Sequence, residues 1–360
     1  MRIGFNASLL AAGGGYRQTG VSRYIGELLD AMEPLLGETE ELIAFGRRIP
    51  AIAQRPSLRI VWEQSVLPLT AAARGVDVFH GPLNVAPLAV RAPTVVTVHD
   101  LAFLRYPGQL PRARRAYMIA ATRLSAAKAD RVIAVSERTA ADLAAWLPAT
   151  RERITVIPEA PSPRIERIAG PVLDEFRARS GIARPYVLAV GTLEPRKNLP
   201  FLLRGFAAVR DRFPHDLVLV GPEGWMTGEL HETLERLKLG QRVRTTGFVT
   251  DRDLGGWYSG ADLFVFPSMY EGFGLPAVEA MRCGAPLLVS NSSCFPEVVG
   301  NAGVMLSPTD VSAWSEALVA ILTNRALNDR LRERSLAGGA RFSWERTARE
   351  TLRVYREVAR

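Results

Sequence analysis

The feature that most constrains this chain is an alternation along its whole length: short apolar runs rich in β-branched residues, each followed by a stretch of helical periodicity. Six runs form a first series: Ile3–Ala7, Leu42–Phe45, Val76–Phe79, Thr94–Val98, Arg131–Val135 and Ile154–Ile157. Amphipathic stretches such as Val21–Met32 and Ala113–Ala129 lie between them. Six more form a second series: Tyr186–Val190, Leu217–Val220, Val243–Thr246, Leu263–Phe266, Pro286–Ser290 and Gly303–Leu306. Strands that are apolar throughout need cover on both faces, and helices interleaved one by one supply it in a parallel, doubly wound sheet. Between the series, Pro158 to Pro185 carries PEAPSP, Pro171 and Pro185. Proline removes ladder donors and fixes φ, so this density reads as a connection between domains. At 360 residues the chain exceeds one comfortable core. The expected architecture is α/β: two Rossmann-like, doubly wound parallel-sheet domains, residues 1–165 and 166–343, facing each other across a cleft. The last helical stretch, Trp344–Val358, has either domain to pack on.

Two cysteines, Cys283 and Cys294, are too few for a disulfide scaffold, and a reducing cytoplasm is the expected setting. No apolar run approaches the ~20 residues of a membrane-spanning helix. The start, MRIGFNASLL, lacks the basic region and cleavage site of a signal peptide. The net charge of +8 comes almost wholly from arginine, which suits an anionic substrate or a membrane surface; a chain rich in Ala, Arg and Gly also reaches it by composition alone. Nucleic acid is not expected as a partner, because no aromatic platform accompanies the basic residues. One basic segment, residues 105–128, combines Arg112, Arg114, Arg115, Arg123 and Lys128 with Tyr117, Met118, Ile119 and Leu124. It reads either as a peripheral membrane contact that collects a lipid-linked acceptor or as an ordinary surface helix.

Open parallel sheets bind ligands beyond the carboxyl ends of their strands, so the residues after each run carry the chemistry. After LFVFP comes SMYEGFGLPAVEAMRCG. Here Gly272 and Gly274 permit close backbone approach, and Pro276 suits the first position of a helix. Leu275 offers no side-chain cap, so amides near Phe273–Leu275 are left for an anion. Glu271 precedes this turn and Glu279 lies about one turn into the helix, where a ribose hydroxyl is its natural partner. After YVLAV comes VGTLEPRKNLPFLLRGF, in which the adjacent Arg196 and Lys197 suit a diphosphate. His99–Asp100 ends TVVTVHD, where an imidazole can bind hydroxyls or move protons. The early loop AAGGGYRQTGVSRY holds Gly13–Gly15 and Gly20 but no G-x-G-x-x-G, so the dinucleotide fingerprint is missing. Asp251 and Asp253 form a D-x-D pattern that reads more simply as the acidic start of a helix. His80, His99, His215 and His231 lack ligand spacing. Neither a metal nor a cofactor is expected.

The segments TGVSRYIGELL, TVHDLAF, KADRVIAVSE, VGTLEPRKNL, LVGPEGW and ADLFVFPSMYEGFGLPAVEAMRCGAP together resemble the family-four retaining glycosyltransferases of GT-B fold, over nearly the whole chain. The last segment holds that family's two glutamates with seven residues between them, here Glu271 and Glu279. The resemblance implies an acceptor domain first, a donor domain second, and a final helix within 344–360 that crosses back onto the first. It places Arg196 and Lys197 on the donor diphosphate and Glu279 on the ribose. Glu271, Gly272, Phe273, Gly274 and Leu275 fall at the donor sugar or its phosphate, and His99 faces the transferred sugar. Glu271, His99, Arg196 and Lys197 are thereby the expected catalytic residues. Gly20 and Gly221 are further expected donor contacts, with Phe248 and Val249, in the turn Gly247–Thr250, near the base. The HDLAF form is closest to mannosyltransferase-like members, whereas PEAPSP departs from the family's common Asn-Gly turn.

The implied reaction moves mannose or a related hexose from a GDP- or UDP-sugar to a glycan or lipid-linked saccharide. In a front-face route the leaving diphosphate oxygen takes the acceptor proton, and protein cations stand in for a metal. Three rivals remain on sequence alone. A nucleotide-sugar epimerase of similar fold needs no acceptor, a nicotinamide oxidoreductase wants the missing glycine fingerprint, and a non-catalytic sugar-nucleotide-binding protein leaves both phosphate features idle.

Overall fold

A computed structural model describes residues 1–12, 20–47 and 56–359, so Gly13–Gly15 of the early loop lie outside the described residues. The chain divides into two compact units, Met1–Glu159 with Ser343–Arg360, and Ala160–Phe342.

The first unit contains six parallel strands: β1 (Arg2–Asn6), β2 (Glu41–Phe45), β3 (Val78–Gly81), β4 (Thr94–Val98), β5 (Arg131–Ala134) and β6 (Ile154–Val156), in the order β2-β1-β3-β4-β5-β6. Helices α1 (Val21–Met32), α2 (Pro56–Ala73), α3 (Ala102–Arg105), α4 (Arg112–Lys128) and α5 (Glu137–Trp146) connect them. Every residue of β4 is buried, as an all-apolar strand in a covered parallel sheet requires. The third run forms two residues later than its apolar stretch, because Gly81 extends the ladder. A Cβ there would lie 2.6 Å from the Val85 carbonyl oxygen, so only glycine lets the chain pass.

Within residues 105–128, Arg112–Lys128 form helix α4. Met118 and Ile119 pack on the core of Val96, Phe103, Val132 and Leu143. Arg115 Nε donates to the Phe103 carbonyl (2.9 Å) and Lys128 Nζ to that of Leu88 (2.7 Å). The helix thus spends its apolar face on its own unit, leaving Arg112, Arg114, Arg123 and Leu124 outward. Among the described residues, no helix is long and apolar enough to cross a membrane.

The second unit repeats the plan with β7 (Tyr186–Val190), β8 (Asp216–Val220), β9 (Val243–Gly247), β10 (Leu263–Phe266), β11 (Leu287–Ser290) and β12 (Val304–Leu306), all parallel. Its helices are α6 (Pro171–Arg179), α7 (Leu199–Val209), α8 (Gly228–Arg236), α9 (Asp251–Gly260), α10 (Leu275–Cys283), α11 (Phe295–Val298), α12 (Val311–Thr323) and α13 (Arg325–Gly339). The order β12-β11-β10-β7-β8-β9 means the chain builds outward from β7 to β9, then returns to lay β10 on the other side of β7. That reversal brings two loops together at one carboxyl edge, the usual place for a ligand in such sheets.

The proline-rich stretch is not all connection. Helix α6 begins at Pro171, whose fixed φ and missing N–H cost nothing in a first turn. Its Phe176 ring packs edge-on against Trp257 of α9, with centroids 5.4 Å apart. Gly255 and Gly256 make this fit possible. Cβ atoms there would come within 2.6 Å of the Glu166 carbonyl oxygen and 2.5 Å of the Phe176 ring. The last helix, α14 (Trp344–Val358), belongs to the first unit, where Trp344 meets Tyr24 and Arg356 pairs with Glu40.

Candidate active site

The loops after β7 and β10 meet at the reversal and carry a largely buried cluster of four ionisable side chains. Lys197 Nζ lies 2.6 Å from Glu271 Oε1, and Arg196 Nη1 lies 2.6 Å from Glu271 Oε2. Lys197 and Glu271 are 74 residues apart in sequence. Ser268 Oγ also donates to Glu271 Oε1 at 2.6 Å. Arg196 Nη2 reaches Glu194 at 2.6 Å, and Nη1 donates to the Tyr270 carbonyl. The ammonium of Lys197 sits 4.8 Å from the centre of the Phe266 ring, a cation–π contact with the last residue of β10. Burial opposes the charge on Glu271, yet Arg196, Lys197 and the hydrogen bonds from Lys197 and Ser268 hold its pKa down at about 2. Two cations and two carboxylates thus balance, out of water, where an anionic group could exchange with carboxylate oxygens.

The turn that follows is fixed by backbone. Ser293 Oγ accepts from Glu271 N (3.0 Å) and donates to Glu271 O (2.5 Å), pinning the glutamate from the loop after β11. Helix α10 starts at Leu275, one residue before the expected Pro276. Gly274 precedes it at φ 83°, with no side-chain cap on the helix amides. A Cβ on Gly274 would lie 2.9 Å from the Phe295 ring, so the position demands glycine for both conformation and space. Gly272 and Phe273 are buried, and the Phe273 ring packs on Phe342 at 5.5 Å, so Phe273 offers its backbone rather than its side chain. Glu279, buried on α10, accepts a 2.8 Å hydrogen bond from Tyr258 OH of α9.

The residues after β8 and β9 complete this edge. Gly221, at φ 143°, donates to the Gly247 carbonyl (3.0 Å), and a Cβ there would lie 2.1 Å from the Gly191 carbonyl oxygen. Its need for glycine therefore comes from backbone packing between strand ends, whatever else approaches it. Gly221→Ala should cost about 2–3 kcal/mol or more by overpacking, read as a lower urea midpoint; an unchanged midpoint would refute the contact. Phe248 is 47% exposed and Val249 half-buried, and Trp225, in the turn after β8, is 43% exposed. Glu194, Ser268, Ser293 and Tyr258 escaped sequence reasoning because their partners are distant in sequence.

Gly20 and His99 belong to the first unit. Gly20 (φ 63°) precedes α1, and a Cβ there would meet nothing within 4 Å. His99, after β4, has every polar group engaged. Nδ1 is 2.7 Å from Glu159 Oε1, Nε2 is 2.8 Å from the Pro82 carbonyl, N donates to Asn84 Oδ1, and O accepts from Thr139 Oγ1. To bind a hydroxyl or move a proton, His99 would have to open one of these ring hydrogen bonds. The D-x-D pair also has a structural account. Thr250 caps α9 by accepting from Asp253 N, while Asp251 and Asp253 pair with Arg164 and Arg179. Among the described residues, no group of three His, Cys, Asp or Glu side chains is placed to hold a metal ion.

Comparison with known proteins identifies the family of the chain. Residues 184–324 match the family described as glycosyl transferases group 1, and residues 19–160 match glycosyltransferase family 4. The O-antigen chain mannosyltransferase B of Escherichia coli is 34% identical over 286 residues, covering 78% of this chain and 74% of that protein. The serotype-specific mannosyltransferase WbdA of Escherichia coli is 33% identical over 71% of this chain, but the match spans only 32% of its length. The crystal structure of Anabaena HepE in complex with UDP superposes with a TM-score of 0.74 at 19% identity, over 99% of this chain and 100% of that one.

Proposed function

This chain belongs to the glycosyl transferases of group 1 and family 4 and so transfers a sugar; from that premise we propose the donor, the acceptor class and the route. The donor is a nucleotide-diphosphate sugar, GDP- or UDP-linked, and the transferred unit is mannose or a related hexose, in keeping with the named relatives. The acceptor is a glycan or lipid-linked saccharide. For the lipid-linked case, the outward Arg112, Arg114 and Arg123 of α4 support a salt-sensitive contact with an anionic surface and no deeper insertion.

The observation that carries this reading is the buried Arg196–Lys197–Glu271 cluster beside the uncapped start of α10. A donor diphosphate there would meet a guanidinium, an ammonium and helix amides, all preorganised in a site of low polarity. These groups take the charge that builds on the leaving diphosphate, the work a divalent metal does elsewhere. The leaving oxygen then accepts the acceptor's proton as the hydroxyl attacks the same face, which retains the anomeric configuration. Glu271 orients the two cations, and Glu279, held by Tyr258, would accept from the ribose hydroxyls.

Thermal unfolding against UDP-, GDP-, ADP- and dTDP-sugars, with EDTA throughout, tests the donor and the metal together. A donor at 100 times its Kd should add roughly 2.7 kcal/mol, a shift of several degrees. Stabilisation by one nucleotide family only after magnesium is added would remove the metal-free part. No shift in either condition would remove the site.

A further inference from the structure

We propose that Ser293 is a positioning residue for transfer: its one hydroxyl holds both backbone polar groups of Glu271 and so fixes where that carboxylate stands between Arg196 and Lys197. The kinetic part of its test rests on the function proposed above.

Ser293 occupies a backbone conformation that a serine ordinarily avoids. Its φ is 58°, in the left-handed region, which is unfavourable for a residue with a side chain and free of cost for glycine. Such a conformation persists where the surroundings over-determine it. Here the side chain itself supplies the reason. Ser293 Oγ accepts from Glu271 N at 3.0 Å and donates to Glu271 O at 2.5 Å. A hydroxyl has one hydrogen and two lone pairs, so a single small group can serve both the N–H and the C=O of one residue. Neither glycine nor alanine, the simpler residues for this position, can do so.

The strand order explains why the grip comes from this loop. Because β10 lies between β11 and β7, the loop that follows β10 has neighbours on both sides. From β11 and the loop after it, Ser290 Oγ donates to the Ser268 carbonyl at 2.6 Å, and Ser292 Oγ lies 3.3 Å from the carbonyls of Ser268 and Met269. From the loop after β7, the Arg196 carbonyl accepts from Met269 N at 2.9 Å, and Arg196 Nη1 donates to the Tyr270 carbonyl. Residues 268–271 are thus held along their backbone, and Ser293 holds the residue whose side chain meets both cations at 2.6 Å. Any movement of the Glu271 backbone is passed to both ion pairs. Transfer depends on those cations standing in place before charge builds on the leaving group.

The test uses the full chain and two variants. Ser293→Gly and Ser293→Ala both lose the hydroxyl, but only alanine keeps the unfavourable φ. Turnover should fall about tenfold, and equally, in both, as a modest misplacement of a catalytic group does. The donor KM should change little. The urea midpoint should be lower for alanine than for glycine. Turnover would then follow the hydroxyl and stability the backbone, a split that a merely structural role does not give. Added to Glu271→Gln, Ser293→Gly should cost almost no further turnover, because the charge it places is already gone. Amide exchange at Glu271 should quicken about tenfold in Ser293→Gly, while Leu287–Val289 of β11 exchange as before. The proposal is overturned by wild-type turnover in Ser293→Gly, by turnover that falls in step with stability across the two variants, by full additivity with Glu271→Gln, or by unchanged exchange at Glu271. A wild type that transfers no sugar would sink the functional reading, and the exchange rates would still decide whether Ser293 holds Glu271.

Discussion

Glu271→Gln should lower turnover by about 10²- to 10³-fold, the usual cost of removing a preorganised electrostatic group, and should also destabilise the fold. Glutamine has nearly the same shape and keeps an oxygen for one cation, but it carries no charge. Arg196 retains Glu194 as a partner at 2.6 Å, so Lys197 becomes the buried cation without a carboxylate. Breaking one side of a buried pair typically costs about 3–5 kcal/mol, because the remaining charge stays desolvated. UDP or GDP should return part of this stability, since a diphosphate brings the missing negative charge to the same place. Nucleotide binding should therefore survive while turnover collapses, a split that steady-state kinetics and urea midpoints with and without nucleotide would reveal. Unchanged turnover would mean that the reacting centre lies elsewhere.

Lys197→Met should produce the second large effect, a comparable loss of transfer together with a change in acid stability. The sign follows from the pKa of Glu271, depressed from 4.5 to about 2 in the folded chain. A depressed carboxylate contributes stability that is fully present above pH 4.5 and is lost as the pH falls through 2. Two and a half units correspond to about 3 kcal/mol across that window. Without the ammonium, the Glu271 pKa rises towards its ordinary value and the window narrows, so the variant should lose less stability than the wild type between pH 4.5 and 2. Unfolding free energies at pH 6 and pH 3 for both proteins measure this directly. Equal pH dependence in the two would show that Lys197 does not hold the Glu271 charge.

Which parts of this protein are legible in its sequence depends on how far each determinant reaches. All twelve apolar runs form strands within two residues of their expected positions, and the stretches 21–32 and 344–358 are helices at both ends. Periodicity is a local property, set by whether side chains point to one face or two, so it survives without any knowledge of neighbours. Pro171 shows the limit of local reading. Proline counts as a breaker in a list of residues, but at a first turn it starts a helix, and only the packing of Phe176 on Trp257 shows that a helix is worth forming there.

Charge and position relative to a strand end were also local, which is why Arg196, Lys197, Glu271 and His99 stand out in the sequence. What they touch was not. Strand order is decided by long-range burial, and nothing between residues 190 and 263 announces that β10 returns to pair with β7 instead of extending beyond β9. That one reversal sets Lys197 against Glu271. The same holds for His99, whose two ring nitrogens lie against the Glu159 carboxylate and the Pro82 carbonyl. The sequence by itself determined the alternating strands and helices, two doubly wound sheets and the chemical types available at their edges. The tertiary structure alone decided which of those groups share a hydrogen bond, an ion pair or a buried oxygen, because such contacts act over a few ångströms of space, whatever the separation along the chain.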